Sequence, residues 1–129
     1  MTFDEFIRCS VRRSYLDAAL WSSCEDGMPL DHWASEDGAP ARDCLAPEAL
    51  ARMATDVAAF LARVDPLDWE ASGLSEDFLG RNFWLTRNRH GTGFWDNSLE
   101  DLGDSLTAIS HSFAECDFYL GSDGLFYLA

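Results

Sequence analysis

Phe83-Trp84-Leu85-Thr86-Arg87-Asn88-Arg89-His90-Gly91-Thr92-Gly93-Phe94-Trp95-Asp96 runs from one aromatic segment, through a polar one, into another. Phe83–Arg87 and Gly93–Asp96 are β-prone runs flanking Asn88–Thr92, a pattern that predicts a β-hairpin. Gly91 and Gly93 would supply the positive φ values that a long hairpin loop needs. The end of the chain has the same form. Asp117–Leu120, the turn Gly121-Ser122-Asp123-Gly124 and Leu125–Leu128 predict a second hairpin.

The remainder reads as helix and loop. Phe3, Phe6, Ile7, Val11, Tyr15, Leu16, Ala19 and Leu20 fall mostly three and four apart, predicting one amphipathic helix over residues 3–20. Asp4 and Glu5 lie in its first turn, where the helix dipole favours anions. Pro47 opens a second helix, striped by Leu50, Met53, Ala54, Val57, Phe60, Leu61 and Val64 and stopped by Asp65-Pro66. Leu99, Leu102, Leu106, Ile109 and Phe113 stripe a third, with Ser98 and Asp101 as its capping pair. Residues 22–46 show no period and read as a long loop pinned by Trp33. Residues 66–81 are polar, with a turn of helix near Ser75 to Leu79. The expected fold is α+β: about three amphipathic helices packed on a small antiparallel sheet made of two β-hairpins, in a single domain over residues 1–129.

Composition excludes several classes. At 129 residues, 47% hydrophobic and 13% aromatic, the chain is sized for one domain with a real core and is too apolar for a disordered acidic tail. No apolar run approaches the ~18 residues of a membrane span. The opening MTFDEFIRC has no signal-type apolar region, so the expected location is the cytoplasm. Cys9, Cys24, Cys44 and Cys116 form no CxxC pair, and His32, His90 and His111 are scattered. Four reduced thiols, no metal and no cofactor are expected.

Charge is the strongest compositional signal. The 23 acids outnumber nine cations, all arginine, for a net charge of −14. Small domains usually stay within about 2–8 charges of zero. Duplex DNA carries one charge per ~1.7 Å, so this excess matches roughly 24 Å of duplex. Direct binding to nucleic acid or an anionic membrane is therefore not expected. The excess is uneven. Residues 1–13 are at +1, residues 14–80 at −11, residues 81–95 at +3, and residues 96–129 hold seven acids and no cation. On the third helix Glu100, Asp101 and Asp104 fall off the apolar stripe and, with Asp96, form one anionic ridge. Asp65, Asp68, Glu70, Glu76 and Asp77 make a second acidic group. A solvated outer helix face accounts for any one of them. Thirty-four residues without a cation point instead to partner choice.

Phosphodiester cleavage is the enzymatic alternative. His90 would be the general base, Arg87 or Arg89 the anion stabiliser, and Asp96 the group that orients His90. Against it stand the lack of a second nearby histidine, of an acid for the leaving group, and of a GxSxG, Walker or GxGxxG motif. No catalytic residue is assigned, and a structural turn is the leading reading of this segment.

The segment Phe83–Asp96 resembles the signature of a family of short acidic proteins carried by bacteriophages and other bacterial mobile elements. The resemblance extends to Ala19-Leu20-Trp21-Ser22-Ser23, Pro29-Leu30-Asp31, the helix through Phe113, and Tyr119–Tyr127. It departs at Arg89, where such proteins most often carry glycine. Small acidic phage proteins commonly block host nucleases, so the resemblance implies an inhibitor of the anti-CRISPR or anti-restriction kind. Its partner would be a host protein or nucleoprotein complex with a basic DNA-binding surface, occupied by carboxylates in place of phosphates. Asp96, Glu100, Asp101 and Asp104, with Asp65, Asp68, Glu76 and Asp77, are the expected partner-binding residues. The alternatives are a phage structural or regulatory protein docking through exposed aromatics of the 22–46 loop or Trp84 and Trp95, and a small His90-dependent nuclease or hydrolase.

Overall fold

The expected helix over residues 3–20 breaks at Cys9, which leaves the helical region at φ −84°, ψ 121°. In the computed structural model, which describes residues 1–25, 28–29, 44–96 and 99–129, the result is two helices. α1 spans Phe3–Arg8 and α2 spans Ser10–Ser22. Thr2 caps α1 by accepting the Glu5 N–H at 3.1 Å. At the other end, the carbonyls freed by the break take arginine donors. Arg12 donates to the Phe6 and Glu5 oxygens, each at 2.8 Å. These bonds hold the corner where no proline or glycine marks it.

α3 spans Pro47–Arg63, as the apolar stripe predicts, with proline in its first turn. Asp65 then caps α4 (Pro66–Ser72), accepting the Leu67 N–H at 2.9 Å, and Gly73 ends it at φ 70°. Ser75 caps α5 (Glu76–Arg87) by accepting the Phe78 N–H. The predicted hairpin at Phe83–Asp96 is thus absent. Its first half is the end of α5, and Phe94–Asp96 is a single 3₁₀ turn. The physical reason is burial. Every residue from Asn82 to Arg87 is buried, so no polar face shows the helical period.

α6 spans Asp101–His111 on the predicted stripe. Its expected partner in the cap, Ser98, lies outside the described residues; Glu100 holds the capping position at φ 56° with no side-chain cap bond. The C-terminal hairpin stands as read. β3 (Phe118–Leu120) pairs antiparallel with β4 (Phe126–Leu128), Tyr119 opposite Tyr127. β4 also bridges Leu45 in parallel fashion. A two-residue antiparallel pair joins β1 (Cys24–Glu25) to β2 (Met28–Pro29); Trp33 and most of the long loop fall outside the described residues.

The architecture is therefore mostly helical, with six α-helices and two separate two-stranded antiparallel pairs among the described residues. Three helices on a sheet of two predicted hairpins is not what forms. The core is an aromatic stack. Phe83 lies between Tyr15 (5.1 Å) and Phe60 (4.1 Å), and Phe60 continues to Phe94. Trp84 is buried beside it and donates its indole N–H to Ser22. Among the described residues, no helix is long and apolar enough to cross a membrane.

Candidate partner-binding surface

α4 and α6 come from acidic stretches far apart in the chain, and residues of both line one groove. It has a volume of about 430 Å³, with Asp68, Ala71 and Ser72 on one wall and Leu99, Asp101, Leu102 and Ser105 on the other. The two acidic groups read from the sequence thus each contribute one carboxylate, Asp68 and Asp101, to this groove. Glu100 and Asp104 accompany Asp101 at the start of α6, where the helix dipole favours carboxylates.

All the expected binding residues are exposed: Asp65, Asp68, Glu76, Asp77, Asp96, Glu100, Asp101 and Asp104, and Glu70 with them. Their surroundings differ. Asp65 is engaged in capping α4. Asp96 accepts the Thr92 hydroxyl at 2.9 Å. Asp77 faces α2, with Arg13 at 3.7 Å, and is not among the described residues that line the α4–α6 groove. Among the described residues, no arginine comes within 4 Å of Asp68, Glu70, Glu76, Asp96, Glu100, Asp101 or Asp104. Their charge faces water uncompensated by ion pairs.

The residues offered for catalysis have other work. Arg87 is buried and held by four hydrogen bonds. Its Nη1 donates to Asp56 Oδ2 at 2.7 Å and to the Tyr15 hydroxyl at 3.0 Å, while Nε and Nη2 donate to the Ala114 carbonyl. Four of its five N–H donors are taken internally, and at 2% exposure the group does not face a substrate anion. Burial acts to lower its pKa, but the neighbouring Tyr15 and the hydrogen bond to Asp56 outweigh that and raise it, so the guanidinium stays charged. Arg89 is exposed and pairs with Glu115 at 3.4 Å. His90 lines a separate groove beside Cys116, whose thiol burial pushes up, keeping it neutral. Among the described residues, no three His, Cys, Asp or Glu side chains are placed to hold a metal ion.

Asp17 escaped the sequence reading. It sits inside the run Tyr15–Leu20, every other member of which is buried. Burial pushes its carboxyl up to about 6; Asp77 adds to this, while Arg13 and Arg81 oppose it. The signal was a lone acid within an apolar stretch. No protein-family model, characterised protein or solved structure is detectably similar to this chain.

Proposed function

We propose that the protein is an acidic phage-type inhibitor that occupies the basic DNA-binding groove of a host defence complex, of the anti-CRISPR or anti-restriction kind, as a mimic of DNA phosphates. The observation that carries this reading is the α4–α6 face, where Asp68 and Asp101 flank one groove beside Glu100 and Asp104. Carboxylates that have no arginine partner among the described residues are suited to pair bidentately with a partner's guanidinium groups, as phosphates do. A purely solubilising surface gains nothing from leaving one sign uncompensated on helices that share a groove.

Capture of tagged protein from bacterial lysate at low and high salt, followed by mass spectrometry, tests the proposal. The expected catch at low salt is a DNA-binding or nuclease complex that added duplex DNA displaces. The combined variant Asp96→Asn, Glu100→Gln, Asp101→Asn, Asp104→Asn is expected to weaken binding and flatten its salt dependence. Unchanged affinity would sink the proposal. A second reading rests on Trp95, which is 53% exposed beside Asp96. In it, the protein is a phage structural or regulatory component that docks through an aromatic side chain, and buried Trp84 takes no part. Salt-resistant binding that Trp95→Ala abolishes would favour that reading.

A further inference from the structure

Among the described residues, the hydrogen-bond register of the C-terminal hairpin leaves one sheet edge open. Asp117 exchanges both backbone bonds with Ala129, and Gly121 donates to the Leu125 carbonyl at 2.7 Å. In an antiparallel ladder, hydrogen-bonded pairs alternate with non-bonded ones, so Tyr119 bonds Tyr127 while Phe118 and Leu120 direct their N–H and C=O away from β4. β4 confirms the phase. Phe126, opposite Leu120, sends its N–H to the Cys44 carbonyl and accepts from the Ala46 N–H on its own outer side. Among the described residues, nothing pairs with the corresponding groups of β3.

A groove of about 510 Å³ follows this edge, bounded by Asp117, Phe118 and Tyr119 on the strand side and by Ser23, Asn88 and His90 opposite. Ser23 and Asn88 are the C-terminal caps of α2 and α5. The C-terminal ends of two helices, the negative ends of their dipoles, therefore border the groove. Asp117 is exposed on its wall and Glu115 stands at its rim, shared with Arg89. Among the described residues, no arginine lines it.

We infer that the outer edge of β3 accepts an extended, basic segment of a partner protein by strand addition, its backbone pairing with Phe118 and Leu120 and its cationic side chains meeting Asp117 and the two helix C-termini. Main-chain bonds supply affinity in such recognition, and alternate side chains supply selectivity. A second copy of the chain fits less well, since each copy carries a net charge of −14. This surface is distinct from the α4–α6 groove, and its test is separate from that of the proposed function.

The probe is a fluorescein-labelled octapeptide of alternating valine and arginine, titrated by fluorescence polarisation. Amide hydrogen exchange at Phe118 and Leu120 is followed in parallel. The expected result is saturable binding that slows exchange at both amides. Backbone N-methylation of the peptide, or Leu120→Pro, is expected to lower affinity about tenfold or more, because each removes bonds across the new ladder. The Leu120 N–H takes no part in the β3–β4 ladder, which Leu120→Pro therefore leaves bonded. Asp117→Asn is an independent variant with an exposed side chain, expected to weaken the peptide several-fold without affecting folding. Equal binding by the N-methylated peptide, or unchanged exchange at Phe118 and Leu120, would overturn the inference and leave only general attraction of cations. A dimer on sedimentation whose β3 amides are protected without peptide would assign the edge to a second copy, and would overturn it equally.

Discussion

Arg87 Nη1 stands 2.7 Å from Asp56 Oδ2, joining the last turn of α5 to the middle of α3. The arginine is 2% exposed and the carboxylate is partly covered. Removing the arginine empties a buried site and leaves the partly covered Asp56 with only the longer Arg52 contact at 3.9 Å, which costs about 3 kcal/mol. Arg87→Ala is expected to destabilise the protein by that order, measured as the loss of unfolding free energy in urea. Arg87→Lys is expected to recover little, because a lysine ammonium cannot reach Asp56, Tyr15 and the Ala114 carbonyl together as the planar fork does. Near-complete recovery by lysine would show that charge alone, rather than the fork, holds the corner.

Gly80 marks the closest approach of α5 to α2. A Cβ there would lie 2.2 Å from both the Val11 carbonyl oxygen and the Ser14 hydroxyl. Gly80→Ala is expected to cost about 3 kcal/mol, since helix propensity gains only about 1 kcal/mol and the helices must separate. Adding Ser14→Ala is expected to give little relief, because the obstructing Val11 oxygen is backbone. A thermal melt of the single and double variants checks both statements.

What the sequence disclosed follows from punctuation and amphipathicity. Pro47 and Asp65-Pro66 bracket α3 closely, and Gly121–Gly124 announces the β3–β4 turn. α5 lacked such a signal from Asn82 onward because it is buried on all sides there, and its aromatic residues then resemble a strand. The break at Cys9 was invisible because arginine side chains, not a glycine or proline, stabilise it. Exposure of the acids was legible, since they fall off the apolar stripes. The sharing of one groove by Asp68 and Asp101 was not, because it depends on where the tertiary fold places α4 relative to α6.

Arg89 occupies a glycine's position. The His90 N–H bonds the Leu85 carbonyl and the Arg89 N–H bonds that of Thr86, the paired bonds of a Schellman ending, with Arg89 at φ 55°. A non-glycine residue pays roughly 1–2 kcal/mol there, partly offset by the greater chain entropy that glycine loses on folding. Arg89→Gly is expected to stabilise by about 0.5–1 kcal/mol, even with loss of the exposed pair to Glu115, which contributes little. An upward shift in the urea midpoint with unchanged slope is the expected reading. A fall would mean that the Glu115 pair outweighs the backbone strain.

Asp17 makes stability depend on pH in the direction opposite to that of a salt-bridged acid. Its carboxyl titrates at about 6 in the folded chain against an ordinary value of 3.8, because burial and Asp77 disfavour the anion more than Arg13 and Arg81 support it. Below about pH 4 both folded and unfolded chains hold the proton, and the group has no effect on stability. Between about 4 and 6 the folded chain binds the proton more tightly, so stability falls as pH rises. Above about 6 the penalty is complete. Because the carboxylate is half-exposed, solvent screening reduces it to about 1 kcal/mol. Asp17→Asn is therefore expected to raise the melting temperature by roughly 3 °C at pH 7.5 and not at pH 4. A gain of equal size at both pH values would trace the effect to packing rather than to ionisation of Asp17.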